Sequence, residues 1–144
     1  MSDITWIQHR TEGQFFERKS CYDRSTGAMK RRKPGEVARD IAETLAAMAN
    51  ADGGTLVVGV EDDGTPTGYD YPEDRLTLLY HAGQNLVTPS LHPRITQATL
   101  DGIPVLLYEI DWSSDIHRLT DGRYLLRVGD KNLPFSAHDI TAMK

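Results

Sequence analysis

The feature that most constrains the fold of this chain is a glycine pair set between a helix-like segment and a short apolar strand. Before the pair, apolar residues recur at the spacing of one helix face: Val37, Ile41, Leu45 and Met48. Residues 50–54 are rich in Asn, Asp and Gly, which supply the left-handed and tight-turn conformations that end a helix. Residues 55–60 are apolar on both faces, as in a strand covered on two sides. The segment therefore predicts a helix that reverses into a central strand.

Further strand and helix patterns flank this segment. Alternation predicts a strand over residues 14–20, residues 21–33 predict a polar loop, and Pro34 is placed to begin the helix. Downstream, Asp101-Gly102 is a strong hairpin signal that should pair the two β-rich runs beside the central strand. The remaining predicted elements are a return strand at 67–69, a helix over 73–86, the paired runs 95–100 and 103–110, a strand over 124–128, and a terminal helix capped by Ser136. Because strands and helices do not alternate regularly, we expect an α+β domain with helices packed on a mixed, mainly antiparallel sheet.

Size and composition favour one domain in a reducing compartment. The 144 residues have the usual size of a single domain, and 39% of them are hydrophobic, so residues 1–144 are predicted to share one core. The longest apolar stretch lies within residues 56–60, far too short to span a bilayer, so no membrane partner is expected. Cys21 is the single cysteine, which excludes an internal disulfide. A cytoplasmic location fits both observations.

The charge is unevenly distributed along the chain. Sixteen Lys and Arg against 21 Asp and Glu give a net charge of -5, which argues against coating nucleic acid by bulk charge. The first third nevertheless holds a basic stretch: Arg18, Lys19, Arg24, Lys30, Arg31, Arg32, Lys33 and Arg39. A second set follows near the C-terminus: Arg118, Arg123, Arg127 and Lys131, with Tyr124 between them. Either set could contact phosphates, and a solvated loop or an exposed sheet face would produce the same patterns.

Acidic residues suggest a second kind of site. Glu12 and Glu17 flank the first predicted strand, and three carboxylates close the central strand: Glu61, Asp62 and Asp63. Carboxylates brought together from two strand ends could hold magnesium or manganese and assist phosphodiester cleavage, although Asp residues also serve as turn formers. The glycines do not form a phosphate loop, because Gly54-x-x-x-x-Gly59 follows a helix and continues with Val60 rather than with Lys.

Three blocks of sequence, in this order, resemble the Schlafen AlbA-type domain: Glu12-x-x-x-Phe16-Glu17-x-Lys19, Ala49-Asn50-x-Asp52-Gly53-Gly54-x-Leu56-x-x-Gly59-Val60-Glu61-Asp62, and Arg127-Val128-Gly129. The resemblance implies a DNA-binding domain of the kind found in bacterial transcriptional regulators. In eukaryotic Schlafens a related core cleaves RNA with three acidic residues, and the matching positions here are Glu12, Glu17 and Asp62, with Glu61 as an alternate. The chain departs from the family at Arg18, where an aromatic residue is usual.

The sequence as a whole predicts a nucleic-acid-binding domain for DNA or RNA, acting alone or as a homo-oligomer. The predicted contacts are Arg18, Lys19, Lys30, Arg31, Arg32, Lys33 and Arg127. One alternative is an endoribonuclease that uses magnesium or manganese held by the acidic triad. Another is a protein-interaction module, in which the basic stretch binds an acidic partner.

Overall fold

The computed structural model describes residues 4–144 as five helices and ten strands arranged in one α+β domain. The helices are α1 (Trp6–His9), α2 (Pro34–Asn50), α3 (Glu73–Tyr80), α4 (Ala82–Asn85) and α5 (Ala137–Met143). The strands are β1 (Phe16–Lys19), β2 (Tyr22–Asp23), β3 (Lys30–Arg31), β4 (Gly54–Val58), β5 (Val87–Thr88), β6 (Arg94–Leu100), β7 (Ile103–Ile110), β8 (Arg118–Leu119), β9 (Leu125–Val128) and β10 (Lys131–Pro134).

The main sheet has four strands in the order β1-β4-β7-β6. β1 runs parallel to β4, whereas β7 is antiparallel to both β4 and β6. The predicted hairpin is confirmed, because β6 and β7 turn at Asp101 and Gly102, whose φ angles are 51° and 77°. Positive φ at both central residues is the signature of a tight two-residue hairpin turn. The sheet is therefore mixed and mainly antiparallel, as the sequence predicts.

Helix α2 crosses the sheet and determines where the central strand begins. Pro34 stands at its first turn, where the missing N–H costs nothing, and Glu36 favours the positive end of the helix dipole. After the helix, the Gly53 amide donates to the Met48 carbonyl at 2.7 Å. Gly53 has a φ of 79°, and a Cβ at this position would lie 2.7 Å from the Ile110 carbonyl oxygen. The glycine is thus required both by its backbone conformation and by the close approach of β7.

Two apolar clusters cover the two faces of β4. The larger lies between α2 and the sheet and includes Leu45, Leu56 and Tyr108. The smaller lies on the opposite face, where α1 contributes Ile7 to Phe16 and Val57. Leu56 and Val57 point to different clusters and both are fully buried, which confirms the prediction of a doubly covered central strand.

Three short elements differ from the sequence prediction. The predicted loop 21–33 contains a small hairpin, because β2 pairs with β3, and the adjacent Arg32 amide donates to the Cys21 carbonyl at 2.8 Å. No strand forms at 67–69, since the chain makes a single bridge between Val60 and Pro66. The predicted helix over 73–86 is divided between α3 and α4, because Gly83 packs closely against the Leu91 backbone and draws the second segment inward.

The C-terminal part of the chain forms a hairpin and a capped helix. Strands β9 and β10 pair with each other, and β9 packs against α2. The Ser136 hydroxyl accepts the Asp139 amide at 3.0 Å, which confirms the predicted cap of α5. Within the described part of the chain, no helix combines the length and apolar character needed to cross a bilayer.

Candidate nucleic-acid interface and buried charge network

Arg127 is the centre of a buried polar network that joins β9 to β1. Its Nη1 donates to Glu17 Oε1 at 2.6 Å and to Asn132 Oδ1 at 2.9 Å, and its Nη2 donates to the carbonyls of Gly13 at 2.9 Å and Phe16 at 3.2 Å. The Arg127 side chain is 0% exposed. A buried guanidinium is tolerated because each of its faces meets an acceptor. Arg127, predicted as a nucleic-acid contact, therefore serves as an internal clamp.

Glu17 is the acidic partner in this network. Its Oε2 accepts the Thr44 hydroxyl at 2.9 Å and lies 2.9 Å from the Lys19 ammonium, which is itself one-quarter exposed. Asn132 completes the ring by donating to Thr44 Oγ1 at 2.9 Å. Burial raises the pKa of Glu17, but the Lys19 ammonium and the Arg127 guanidinium together lower it more, and the net pKa shift is downward. Glu17 is held as a carboxylate.

Glu12 and Asp62, the other two members of the predicted acidic triad, lie in different settings. Glu12 Oε2 accepts the Arg18 backbone amide at 2.8 Å, and Asp62 is exposed in the turn after β4. Burial raises the pKa of Glu12, the bond from the Arg18 amide opposes that rise, and the charges of Glu17 and Asp62 add to it. The Glu12 carboxylate thus lies close enough to Glu17 and to Asp62 to be repelled by both.

The triad does not fit a divalent cation as it is arranged. Both oxygens of Glu17 already bind protein donors: Oε1 binds Arg127, and Oε2 binds Thr44 and Lys19. Across residues 4–144, no three side chains of His, Cys, Asp or Glu are grouped so that they could hold a metal ion. Glu61, the alternate ligand, accepts the Thr67 hydroxyl at 2.7 Å and a second bond from the Ser20 hydroxyl. Among the described residues, these carboxylates therefore form no prearranged ligand set for magnesium or manganese.

Arg18 is buried as well, although its chemical type suggested a phosphate contact. Its Nε donates to the Ile7 carbonyl at 2.9 Å and its Nη2 donates to the Arg10 carbonyl, so the guanidinium binds the end of α1. The same group lies 5.0 Å from the centre of the Phe16 ring. Arg18 replaces the aromatic residue usual in the family by combining cation–π packing with two backbone contacts. The departure at this position is explained by the packing of α1.

Exposed cations converge elsewhere, on a groove between the β2–β3 hairpin, the first turns of α2, and α3. The groove has a volume of about 650 Å³ and four cationic side chains among its walls: Arg31, Lys33, Arg39 and Arg75. Glu36 is the one carboxylate among these lining residues, and Tyr71, Pro72 and Leu78 provide apolar walls. Because cations outnumber carboxylates four to one, the groove attracts anions.

Most of the groove cations have no acidic partner. Within residues 4–144, Lys33, Arg39 and Arg75 form no ion pair. Arg31 lies over the Tyr71 ring at 5.4 Å and reaches an exposed pair with Asp70 at 3.7 Å. An exposed cation without an ion-pair partner is available to bind an anionic ligand. The groove therefore differs in kind from the compensated network around Arg127.

The predicted basic run is only partly directed into this groove. Lys30 is exposed on β3, and Arg31 and Lys33 line the groove. Arg32 turns away and binds Asp40 Oδ2 at 2.6 Å and the Ser20 carbonyl at 3.1 Å.

Sequence reasoning missed two groove residues. Arg39 belongs to the basic stretch but is not among the predicted contacts, although it stands one helical turn beyond Gly35 on the face of α2 that continues the groove. Arg75 carried no signal, because only the packing of α3 beside α2 brings it to the site.

Comparisons with known proteins agree with this architecture. The sequence model of the family described as Schlafen, AlbA_2 matches residues 12–136. No curated protein matches the chain. The crystal structure of the DIP2311 protein from Corynebacterium diphtheriae is similar, with 25% identity and a TM-score of 0.69. The similarity covers 88% of this chain and 23% of that one, so this chain spans less than a quarter of its relative.

A second solved structure is the N-terminal domain of a DNA helicase RecG-related protein from Nitrosomonas europaea. It is 20% identical with a TM-score of 0.56, and the similarity covers 78% of this chain and 74% of that one, which shows a shared fold. Since the family match extends over most of the sequence and the fold agrees, this chain belongs to the Schlafen AlbA_2 family.

Proposed function

We propose that this domain binds nucleic acid, DNA or RNA, through the groove formed by Arg31, Lys33, Arg39 and Arg75. The observation that carries the proposal is the convergence of four cations on one concave surface with a single carboxylate among them. Three of the four, Lys33, Arg39 and Arg75, have no ion pair in the described chain, so a phosphate backbone would supply their anionic partners.

The contrast between this groove and the rest of the molecule supports a specific site. The net charge is -5, so most of the surface repels phosphate and a polyanion would be directed to the groove. Lys30 stands beside the groove on the β2–β3 hairpin and extends the positive surface. Arg18, Lys19 and Arg127 do not line the groove; Arg18 bonds the Ile7 carbonyl of α1, and Lys19 and Arg127 pair with Glu17.

Family membership and one neighbour's name agree with this proposal. The Nitrosomonas protein is named as related to a DNA helicase, and its N-terminal domain shares this fold. We extend the proposal to a cytoplasmic, transcription-related role in which the domain positions a larger assembly on nucleic acid. Cys21 is buried, which suits a reducing compartment in which no disulfide is required.

A binding titration with a matched control tests the proposal. Fluorescence anisotropy would follow labelled single-stranded and double-stranded DNA and RNA of equal length. The triple variant Lys33→Gln, Arg39→Gln, Arg75→Gln should weaken binding by roughly tenfold or more, since several phosphate contacts are lost. The control, Arg10→Gln, Arg94→Gln, Lys131→Gln, removes the same charge from exposed residues outside the groove. Equal losses in both variants would show that only net charge matters and would contradict a groove site.

The same preparation tests the nuclease alternative. Cleavage of RNA with manganese present and with a chelator present would be followed by gel electrophoresis. Asp62→Asn is the informative change because Asp62 is exposed, so its loss leaves the buried network intact. Asp63→Asn, at the next exposed position, is the matched control. Metal-dependent cleavage that Asp62→Asn abolishes and Asp63→Asn preserves would favour the nuclease over the simple binder.

The protein-interaction alternative makes a different prediction. Under this alternative, an acidic partner protein would bind the groove, whereas nucleic acid would bind with little or no measurable affinity at physiological salt. Polyglutamate serves as a probe of comparable charge without bases or sugars. Polyglutamate binding that equals nucleic-acid binding would support the interaction module.

A further inference from the structure

The two edges of the main sheet differ in the hydrogen bonding of their outward backbone groups. At the β1 edge, outward backbone groups are already bonded: the Phe16 carbonyl accepts Arg127 Nη2 at 3.2 Å, and the Arg18 amide donates to Glu12 at 2.8 Å. The Phe16 amide and carbonyl also bond to Gly13. Buried side chains and a tight turn thus close this edge against another strand.

The β6 edge is open within the described chain. The hairpin closes with Leu100 opposite Ile103, so every second residue of β6 directs its backbone groups towards β7. The residues between them direct their N–H and C=O groups away from β7: Ile95, Gln97 and Thr99. Among residues 4–144, no backbone partner outside the sheet bonds these groups. Three outward donors and three outward acceptors thus lie along one line.

Nothing in the strand itself protects this edge. Residues 95–100 contain no charge and no proline, and the β6–β7 register runs without a bulge. Lysine, proline and bulges are the usual devices that block a free edge. Beside the strand lies a cavity of about 520 Å³, lined by Thr96, Ala98 and Pro104 among others. The edge combines free hydrogen-bonding groups with space for another strand's side chains.

The charges at the ends of β6 indicate which strand would pair with this edge. Arg94 begins β6, where it forms exposed pairs with Glu109 and Asp111 of its own chain, and Asp101 follows the last residue of β6, while the positions between are uncharged. A strand with this pattern is self-complementary when it meets a second copy antiparallel, because each Arg94 then approaches the partner's Asp101. A parallel arrangement would place like charges side by side.

We infer that two copies of this chain pair through β6, antiparallel and about a two-fold axis at Gln97. Gln97 then faces Gln97 of the second copy, and Ile95 faces the second copy's Thr99. Each of the three facing pairs exchanges two hydrogen bonds, which gives about six in all. The joined sheet has eight strands. Because a single strand edge buries little area, the dimer should be weak and concentration-dependent.

A charge-swap experiment tests the pairing directly. Sedimentation velocity over a concentration series should show reversible dimerisation of the unaltered chain. Gln97→Lys and Gln97→Glu, each alone, place like charges across the axis and should weaken the dimer roughly fivefold or more. An equimolar mixture of the two variants should recover dimers, since opposite charges then face each other. Gln84→Lys adds the same charge at an exposed glutamine on α4 and should leave the dimer unchanged.

Amide hydrogen exchange on the unaltered chain provides a second measurement that needs no variant. The amides of Ile95, Gln97 and Thr99 should become more protected as the concentration rises, while the Asp121 and Gly122 amides in the exposed turn before β9 should not. A chain that stays monomeric at every concentration would overturn the proposal. So would a dimer that ignores both Gln97 variants, or a mixture of them that fails to associate while the unaltered chain does.

Discussion

The charges of this protein fall into two regions that follow opposite rules. Around Arg127, a cation with no exposed surface is matched by Glu17, Asn132 and backbone carbonyls. In the groove, Lys33, Arg39 and Arg75 form no ion pair within residues 4–144, and Glu36 is the one carboxylate among the lining residues. A buried charge must be compensated by the protein, whereas water solvates an exposed charge in a concave surface until a ligand binds. The same residue type thus maintains the fold in one region and, in our proposal, binds phosphate in the other.

Removal of the buried cation should have the largest effect on stability. Arg127→Ala leaves Glu17 without its guanidinium partner and removes the guanidinium bonds to the carbonyls of Gly13 and Phe16. Breaking a buried ion pair in this way costs about 3–5 kcal/mol. Urea unfolding followed by circular dichroism measures the loss.

A matched arginine four residues earlier provides the control. Arg123 pairs with Glu43 at 2.6 Å and with Asp121 at 2.8 Å, but 43% of its side chain is exposed. Exposed pairs contribute roughly 0–1 kcal/mol, so Arg123→Ala should have little effect. Similar losses for both variants would show that burial does not separate the two regions.

Replacement of Glu17 should have the next largest effect, and that effect should depend on pH. Glu17→Gln keeps the size of the side chain but removes the charge between Arg127 and Lys19, for a loss of about 2–3 kcal/mol at pH 7. The pKa of Glu17 is lowered in the folded protein, so its contribution is present above the unfolded pKa of about 4.3 and disappears as pH falls through the folded pKa.

Unfolding curves at several pH values test this sign. The difference between the unaltered chain and Glu17→Gln should shrink as the solution is acidified below about pH 4. A difference that stays constant from pH 7 downward would mean that the carboxylate charge does not contribute to the network.

Glu12 should show the opposite sign and a smaller effect. Its pKa is raised by burial and by the neighbouring carboxylates, so its contribution to stability is present below the unfolded pKa and lost as pH rises through the folded pKa. Glu12→Gln removes the repulsion at pH 7, and the amide oxygen can still accept the Arg18 amide. Thermal unfolding at pH 7 should be unchanged or slightly higher, because solvent screens this half-buried group. A marked drop would contradict the raised pKa.

The fold was predictable where local chemistry is decisive. Pro34, the helix-face residues, Gly53 and the Asp101-Gly102 turn each impose a backbone geometry by themselves, and the structure contains all the elements that they predict. The β2–β3 hairpin and the break at His81 depend on packing against distant residues, which periodicity does not encode.

The site was less predictable because residue type does not reveal burial. Arg18 and Lys33 are both cations in one basic stretch, yet Arg18 packs on Phe16 under α1 while Lys33 faces solvent. Arg127 similarly resembles any strand arginine until β1 closes over it. Only the assembled fold distinguishes the buried arginines, Arg18 and Arg127, from the exposed cations. Only α3 places Arg75 in the groove.

In our proposal, the groove cations bind phosphate without contributing to the fold. Urea unfolding of the variant Lys33→Gln, Arg39→Gln, Arg75→Gln should stay within about 0.5 kcal/mol of the unaltered chain, as for exposed residues generally. This check ensures that a binding loss is not a folding loss.

The most direct test is the salt dependence of nucleic-acid affinity, measured by anisotropy at several concentrations of sodium chloride. Each phosphate contact contributes about 0.7 to 0.9 to the slope of log affinity against log salt. The triple groove variant should therefore lower the slope by up to about 2 to 3, while the control variant at Arg10, Arg94 and Lys131 should preserve it. An unchanged slope in the groove variant would contradict the account.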